Sequence, residues 1–426
     1  MHQRERLVQL YADVVAALPA TRLVREACAS GAAPLPGPKG KLAVLGLGKV
    51  CAEMLDGARE AGLPIAEATL SVPPGVERER DRSPARLFPG DHPVPDQGSI
   101  AAGEALLRAA SGLGPEDAAL LLVCGGGSSL AEVPAPGVTL ADLRALNQAL
   151  LNSGAPIEEM NCIRAHLSRF KGGGAARALF AAGVQRARAL VLVDVPRGGA
   201  PAVSSGPFAP DATTFADALG IVRRRSIVLP RSAQERLEAG ARGEVPETLK
   251  PGEPAAQIEH TVLVDMHSPA QVAQRLCAAL DPAAAIELVY EIVRGPVEQV
   301  AHEMEARLMR PGPRFVVASG EAELRVAPGA PPGGRAQHLA LRMARALRGR
   351  RAAFLAAGTD GRDGPTGAAG AVVDGSTWDE AERRGLGPAA ALEACAATPL
   401  LEALSATLPA RRTGAHVGDV MVLWLA

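Results

Sequence analysis

The sequence predicts an α/β fold of two domains, each a mostly parallel sheet flanked by helices. Short apolar runs such as LAVLGL, AALLLV and ALVLV are bounded by glycine or polar residues, as strands buried on both faces are. A helical segment follows each run, and this alternation of strand and helix is typical of a doubly wound sheet. The N-terminal domain is therefore predicted to be Rossmann-like.

A stretch without periodicity interrupts this alternation in the 426-residue chain. Between the helical segment RSAQERLEAG and the strand HTVLVD the sequence carries prolines and glutamates, which favours a linker. We predict an N-terminal domain at residues 1–245, a linker at 246–257 and a C-terminal domain at 258–426. Further strands are expected in RFVVASGE, RRAAFLAAG and VMVLWLA.

Composition narrows the class of protein. Hydrophobic residues make up 47% of the chain and charged residues 21%, so it can bury a large core. Only 3% are aromatic and the net charge is -1, which argues against nucleic-acid partners. No apolar run approaches a membrane span, and the six cysteines form no CxxC pair. We expect a cytoplasmic monomer or homodimer with reduced thiols, no zinc site and no membrane contact.

Two glycine turns follow predicted strands. LGLGKV places Lys49 at a helix start, and CGGGSSL presents Gly125, Gly126, Gly127 and Ser128. Backbone N–H groups, an ammonium and hydroxyls in such turns suit a phosphate. The alternatives are a tight turn with a solvated lysine, and close helix–strand packing with serine capping.

The segment NCIRAHLSRFKGG places polar residues on one side of a helix. Asn161, Arg164, Ser168 and Lys171 are spaced by three, four and three residues. Packing does not require two cations, an amide and a hydroxyl on one face, although a solvated face is the competing interpretation.

The proline-rich loop PGDHPVPDQGS displays His92 and Asp96. Rigid polar loops at strand ends often line sites. For Asp96 we favour the role of a helix cap, and His92 is left as a candidate.

Aspartates follow other predicted strands. Asp194 ends VLVD, and Asp360 with Asp363 lies in the loop GTDGRDGPTG. Ligands of open α/β sheets bind at such strand ends, and carboxylates there can position Mg²⁺ or accept a hydrogen bond from a substrate hydroxyl. Asx turns and caps are the alternatives. The turn SSGP, which contains Gly206, follows the Asp194 strand.

The stretch GGRAQHLAL starts an amphipathic helix at Arg335. Backbone N–H groups and a guanidinium at a helix start present donors to an anion. With the glycine turns, cations and strand-end aspartates, it favours phosphoryl transfer, which needs positioning and charge neutralisation more than covalent chemistry.

These segments, in this order, resemble the glycerate 2-kinase family, whose C-terminal half is the MOFRL domain. The resemblance rests on GLGKV, HPVPD, GGGSSL, the block from LLNSGAPIEEM to SRFKGG, DVPRGG, SSGPFAPD, SGE, GGRAQHLAL and GTDGRDGPTGAAGAVVDG. It implies ATP- and Mg²⁺-dependent phosphorylation of the 2-hydroxyl of D-glycerate, or of a related small hydroxy acid, in a cleft between two α/β domains.

The resemblance also implies roles for particular residues. Lys49 and Arg335 would stabilise the transferring phosphoryl group, with Arg335 also suited to the substrate carboxylate, and Asp194 would hold Mg²⁺ or polarise the hydroxyl. The residues expected to bind nucleotide or phosphate are Gly125, Gly126, Gly127, Ser128, Lys171 and Gly206. Those expected to contact substrate or line the cleft are His92, Asn161, Arg164, Glu321, Asp360 and Asp363.

Two alternatives stay open. Ala336 and His338 stand where the family usually has an asparagine and an acid, and DVPRGG lacks a second aspartate at Gly198 and Gly199, which favours a catalytically altered, ligand-binding or regulatory member. GLGKV also raises a nicotinamide-dependent hydroxypyruvate reductase, for which Glu67 is the candidate acidic partner of the ribose.

Overall fold

The fold is described from a computed structural model, which describes residues 3–79, 81–308, 310, 312, 314–326 and 333–426. The chain divides into two compact units. The first unit is Ala20–Leu263, and the second combines residues 1–19 with Val264–Ala426.

The elements of the described residues are as follows. The α-helices are α1 (Gln3–Ala17), α2 (Ala20–Ala29), α3 (Cys51–Glu60), α4 (Val76–Glu79), α5 (Gln97–Ser111), α6 (Gly127–Leu130), α7 (Leu140–Asn152), α8 (Ile157–His166), α9 (Gly174–Ala181), α10 (Gly199–Ala202), α11 (Phe215–Arg224), α12 (Arg231–Ala241), α13 (Ser268–Leu280), α14 (Val297–Arg307), α15 (Arg335–Leu347), α16 (Thr377–Arg383), α17 (Pro388–Glu393) and α18 (Ala397–Ala403). The strands are β1 (Leu42–Leu47), β2 (Ile65–Val72), β3 (Ala85–Pro89), β4 (Ala118–Val123), β5 (Arg186–Leu192), β6 (Glu259–Val264), β7 (Ala285–Leu288), β8 (Val293–Pro296), β9 (Arg314–Glu323), β10 (Ala352–Gly358), β11 (Ala368–Asp374), β12 (Thr407–Pro409) and β13 (Asp419–Leu425).

The first unit is built on a six-stranded sheet in the order β3-β2-β1-β4-β5-β6. The pairs β3–β2, β2–β1, β1–β4 and β4–β5 are parallel. Every residue of β1 and β4 is buried, which explains their uninterrupted apolar runs. The strand order is that of Rossmann folds, and it reverses between β1 and β4. The α/β class and the Rossmann-like first sheet are confirmed.

The second unit contains a mixed seven-stranded sheet rather than the mostly parallel one expected. Its order is β12-β11-β10-β13-β9-β7, and β8 also pairs with β9. The pairs β12–β11, β11–β10, β10–β13 and β13–β9 are antiparallel, whereas β7 and β8 run parallel to β9. A loop instead of a crossover helix joins β10 to β11, so the chain reverses there. A strand that is buried on both faces has the same apolar run whether it is parallel or antiparallel to its neighbours.

Helix α1 belongs to the second unit, so the domain boundary differs from the predicted one. The helix packs against β10 and α13. Leu7 and Val14 are fully buried, and the Tyr11 hydroxyl donates to the Gly358 carbonyl over 2.8 Å. A contact between positions this distant leaves no trace in local sequence.

The predicted linker at 246–257 is an integral segment of the first unit. Leu249 is fully buried, its N–H donates to the Gly172 carbonyl (2.9 Å), and its own carbonyl accepts from the Asp211 N–H (2.7 Å). The Glu253 carboxylate binds the Arg177 guanidinium at 2.8 Å. One buried leucine and these backbone bonds hold a segment whose composition favoured a linker.

No single helix within the described ranges is long and apolar enough to cross a membrane. Helices α1 and α2, which are separated by a bend, reach the length and apolar composition of a membrane span only when they are taken together. The six cysteines are unpaired thiols, of which five are buried.

Candidate functional site

The turns after β1 and β4 interlock at the point where the strand order reverses. The Lys49 N–H donates to the Gly125 carbonyl (2.9 Å), and the Cys124 N–H donates to the Leu47 carbonyl (3.1 Å). Gly48 has φ of +120°, and a Cβ there would overlap the Cys124 carbonyl. The sequence therefore needs glycine at this crossing, where ligands of open α/β sheets bind.

Lys49 and Asp194 converge on the glycine turn after β4. A Cβ at Gly126 would lie 2.9 Å from Lys49 Cγ and 3.0 Å from Lys49 Cε, so the lysine side chain lies across this glycine. A Cβ at Gly125 would overlap the carboxylate of Asp194, which follows β5. The glycines make room for both charged side chains, and the structure thus brings together three predicted parts of the site.

A chain of hydroxyl and amide groups adjoins this turn. The Ser128 and Ser205 hydroxyl oxygens are 2.6 Å apart, and Ser205 donates to Asn161 Oδ1 (2.8 Å). Ser204 donates to the Cys124 carbonyl over 2.8 Å. Ser204 and Ser205 have φ of +55° and +58°, a left-handed conformation that is costly for residues with a Cβ and that clusters at functional sites.

We call this set the switch-point cluster. It comprises Lys49, Gly125–Ser128, Asp194, Asn161 and Ser204–Gly206. It combines an ammonium, a carboxylate and hydroxyls at one sheet edge, which suits an anionic ligand with an associated cation. Helix α6, expected to support an anion cradle, is a single turn of four residues, and its Ser129 donates to the Pro93 carbonyl at 2.7 Å.

The loop before α5 carries two candidate residues, Asp96 and His92, whose surroundings differ. Asp96 caps α5 by accepting from the Ser99 N–H (2.8 Å), so the capping interpretation is confirmed. His92 is exposed on the same loop, with its backbone N–H bonded to the Asp91 carboxylate at 2.7 Å.

Lys171 and Arg164 lie inside the fold and not on an open face. The Lys171 ammonium binds the Glu132 carboxylate, and both side chains are 3% exposed. Glu132 also accepts from the Ser168 hydroxyl (2.5 Å), while Arg164 Nε donates to Asn147 Oδ1 (3.0 Å). Burial lowers the pKa of Lys171, with Glu132 opposing the shift, and burial lowers the pKa of Arg164. These contacts give both cations structural partners, and of the four predicted residues Asn161 joins the cluster.

Arg335, in the second unit, is held by two carboxylates. Its Nε and Nη2 donate to the two oxygens of Asp419 (2.8 and 3.0 Å), and Nη2 also donates to Glu321 (3.0 Å). Burial raises the pKa of Asp419 to about 7, although Arg335 pulls it down. Burial alone would lower the pKa of Arg335, but the carboxylates of Asp419 and Glu321 together have the larger effect and raise this pKa. The third guanidinium nitrogen, Nη1, takes no part in these contacts.

Asp363 occupies the start of helix α15, where an anion was expected. Its carboxylate accepts from the N–H groups of Ala336 (3.0 Å) and Gln337 (2.8 Å) and from the Gln337 side chain (2.9 Å). A Cβ at Gly334 would overlap this carboxylate, which explains the glycine before Arg335. Asp363 is therefore an internal cap, and the expectation of a ligand anion on these N–H groups was wrong.

Asp363→Ala is expected to lower the free energy of unfolding by about 2 kcal/mol, because a cap is lost and buried donors lose their acceptor. Urea unfolding measures the change. The matched control is Asp360→Ala in the same loop: Asp360 accepts from the Arg362 N–H (2.9 Å) in an Asx turn, and its loss should cost within about 0.5 kcal/mol. Equal costs in the two variants would contradict the capping role.

Sequence reasoning missed three residues that organise these sites. Glu132 forms an ion pair with Lys171, and Asp419 forms one with Arg335. The buried Gln337 side chain donates to Asp363 and to Thr366, and it accepts from Thr398 (2.8 Å). Each partner lies tens of residues from the group it holds, with no local pattern to reveal it. The charged residue in the last strand, Asp419 among VMVLWL, was the available signal.

The donor set for a metal is small. Among the residues the structure describes, no group of three His, Cys, Asp or Glu side chains is placed to hold a metal ion. Mg²⁺ bound with a nucleotide takes one or two protein carboxylates and fills its shell with phosphates and water. Asp194, against the glycine turn, fits such a single-carboxylate role.

The fold and the switch-point cluster together define a doubly wound α/β protein with a charged glycine-turn site at its strand-order reversal. Residues 6–238 match the domain of unknown function DUF4147, and residues 314–419 match the MOFRL family.

Named relatives cover most of the chain. A protein called putative hydroxypyruvate reductase from Agrobacterium vitis is 35% identical over 91% of this chain and 87% of its own. A glycerate 2-kinase from Pyrococcus horikoshii is 32% identical over 90% of this chain and 87% of its own. The crystal structure of a glycerate kinase from Thermotoga maritima superposes with a TM-score of 0.86 at 28% identity, covering 99% of each chain.

The chain belongs to the glycerate 2-kinase family, as its motifs predicted. By family it is a kinase-like phosphotransferase.

The position of Glu67 weakens the reductase alternative. Glu67 pairs in register with Ala43 near the amino end of β2, and its carboxylate binds Lys41 at 2.9 Å. A dinucleotide ribose binds at the opposite, carboxyl edge of such a sheet. Glu67 therefore cannot serve as the acidic ribose partner.

Proposed function

We propose that this protein transfers the terminal phosphoryl group of ATP to the 2-hydroxyl of D-glycerate or a related small 2-hydroxy acid, with Mg²⁺. The observation that carries the proposal is the convergence of Lys49 and Asp194 on the Gly125–Gly126 turn at the strand-order reversal. Family membership supports the same reaction class.

In the proposed reaction the substrate 2-hydroxyl oxygen forms a bond to the terminal phosphorus as the bond to the leaving ADP oxygen breaks. The Lys49 ammonium stabilises the charge on the phosphoryl oxygens, where a preorganised cation has its largest effect. Asp194 polarises the hydroxyl or accepts its proton. The Ser128 hydroxyl and the Gly125–Gly127 turn position the phosphates.

In the alternative role Asp194 would hold Mg²⁺ instead of acting on the hydroxyl, and the ion would neutralise charge on the bound nucleotide. Asn161 orients the Ser205 hydroxyl, which fixes Ser128 in turn. Since Ser205 donates to Asn161, Ser128 donates to Ser205, and the Ser128 hydroxyl would turn from Ser205 to donate to a bound phosphate. Gly206 completes this left-handed segment, with φ of +61°.

Other assignments stand on the resemblance. We propose that Arg335 contacts the substrate carboxylate through Nη1, since Asp419 and Glu321 engage its other donors. His92 and Asp360 are retained as proposed substrate contacts. Lys171 and Arg164 are left out of the proposed site because their contacts lie inside the fold. That the reaction takes place in a cleft between the domains remains an expectation from the resemblance.

The test is coupled ADP release with Mg-ATP and a panel of small hydroxy acids, D-glycerate among them. We expect turnover with at least one 2-hydroxy acid and none with its 2-deoxy analogue. ATP binding by calorimetry without turnover on any member would instead support a catalytically altered protein. Oxidation of NADH or NADPH with hydroxypyruvate, in the absence of ADP release, would support the reductase.

A further inference from the structure

A cavity of about 400 Å³ lies in the first unit beside the switch-point cluster. It is lined by parts of α8 and α10, by the serine turn that follows α10, and by residues 209–213. Its size falls in the range of small-molecule sites. Asn161, Ser205 and Gly206 of the switch-point cluster line one side of it, and the other lining residues have no role in the reaction proposed above.

Much of the wall of this cavity is apolar. Ala165, Pro201, Ala209 and Pro210 line it, together with the buried Cys162. These small side chains and proline rings form an apolar part of the wall, which suits a ring that leaves water on binding.

Glu158 provides a hydrogen-bond acceptor in this wall. Its Oε1 is shielded from solvent, and no donor from the described residues reaches it. The other lining carboxylate, Asp211, already accepts from Thr213 (2.7 Å) and Thr248 (2.9 Å). A shielded carboxylate oxygen without a donor is costly, so a turn of the half-buried Glu158 side chain that brings this oxygen to a ligand's N–H or O–H group would be favourable.

The cavity adjoins the proposed phosphate site. Ser205 and Gly206 line it, and the Ser205 hydroxyl lies 2.6 Å from that of Ser128 in the glycine turn. A ligand with phosphates at that turn can therefore place an attached ring in the cavity without crossing the core.

We propose that this cavity binds the nucleoside of the phosphoryl donor, with the base between the alanine and proline walls and Glu158 accepting a hydrogen bond from a ribose hydroxyl or a ring amino group. The inference rests on the proposed function, because that function places the phosphates at the glycine turn.

The first experiment fills the mouth of the cavity. Ala212 lines it and is exposed, so Ala212→Trp blocks the slot without disturbing the core. Calorimetry should show ATP affinity reduced by about tenfold or more, while inorganic tripolyphosphate, which has no nucleoside, binds within about twofold of wild type. The matched control is Ala101→Trp, at an exposed position of α5 outside the cavity, which should leave both affinities unchanged.

The second experiment tests the acceptor. Glu158→Gln should weaken ATP binding by about five- to tenfold, with tripolyphosphate unaffected. The neighbouring Glu159→Gln, whose carboxylate pairs with Arg224 and Arg225 outside the cavity, should not. The ligand arms identify the donor. 2′-deoxy-ATP or 3′-deoxy-ATP binds Glu158→Gln and wild type equally if the missing ribose hydroxyl is the donor, and purine riboside triphosphate does so if the amino group is.

The outcomes distinguish a failure of the nucleoside site from a failure of the proposed kinase function on which it rests. Wild-type ATP binding that survives Ala212→Trp unchanged overturns the nucleoside site but leaves the kinase proposal standing. If wild type binds neither ATP nor tripolyphosphate and releases no ADP, the proposed function fails and takes the nucleoside site with it. Equal loss of ATP and tripolyphosphate in Ala212→Trp would place the phosphates in the cavity and contradict the assignment.

Discussion

Lys49→Ala is expected to lower kcat by about 10²–10³-fold, the cost of removing one preorganised electrostatic contact from a transition state. The Lys49 side chain lies across Gly126, and the Asp194 carboxylate lies against Gly125. An alanine leaves the phosphoryl charge without this cation, while the backbone bond from residue 49 to the Gly125 carbonyl is retained. Initial rates of ADP release at saturating ATP and substrate measure the effect.

The control for this prediction lies at the other end of the same strand. Lys41 precedes β1 and pairs on the surface with Glu67 at the amino edge of the sheet, so Lys41→Ala should leave kcat within about twofold. Equal rates in Lys49→Ala and wild type would remove Lys49 from the mechanism and, with it, the observation that supports the kinase proposal.

Glu132→Leu is expected to reduce the free energy of unfolding by about 3–5 kcal/mol, because it leaves the buried Lys171 ammonium without its partner. Both side chains of this pair are 3% exposed, and Ser168 also donates to Glu132. Urea unfolding followed by circular dichroism gives the change. Glu67→Gln, which breaks the exposed pair with Lys41, should cost less than about 1 kcal/mol.

The double variant Glu132→Leu/Lys171→Met separates the structural and functional interpretations of Lys171. Replacing both members with apolar residues removes the uncompensated charge, so much of the lost stability should return. ATP affinity should equal that of wild type if Lys171 is structural, as its burial indicates. A stable double variant with greatly weakened ATP binding would restore Lys171 as a phosphate ligand.

The parts of the fold that local sequence encodes were predictable. The apolar runs of β1, β4 and β5 revealed buried strands, and the glycines after the first two marked the turns. Asp194 was identifiable because a charged residue directly after such a run can only lie at the strand's carboxyl edge. These features depend on neighbours within a few residues, where sequence patterns are informative.

Features set by distant contacts were not predictable. Lys171 was predicted on one helix face with Asn161, but α8 ends at His166 and Lys171 lies beyond it, where its ammonium binds Glu132, 39 residues earlier. Arg335 and Asp363 were both predicted as site residues, but their roles depend on distant partners. Arg335 is held by Asp419, 84 residues away, and Asp363 caps a helix by accepting from the Ala336 N–H, 27 residues away. The direction of β10, β11 and β13 likewise follows from connections, since burial on both faces looks alike in parallel and antiparallel strands.

The attachment of α1 to the second sheet has a consequence for how the chain reaches its native state. Synthesis proceeds from the N-terminus, yet Tyr11 bonds to a carbonyl 347 residues later in the sequence. The first unit, continuous from Ala20 to Leu263, can fold while the ribosome is still translating, whereas α1 must wait with Leu7 and Val14 uncovered until β10 and β13 emerge. A C-terminal fragment that begins after the predicted linker would lack α1 and would expose the apolar face that this helix covers. A circular permutant that joins residue 426 to residue 3 through a short linker would place α1 beside its partners in sequence and shorten this delay.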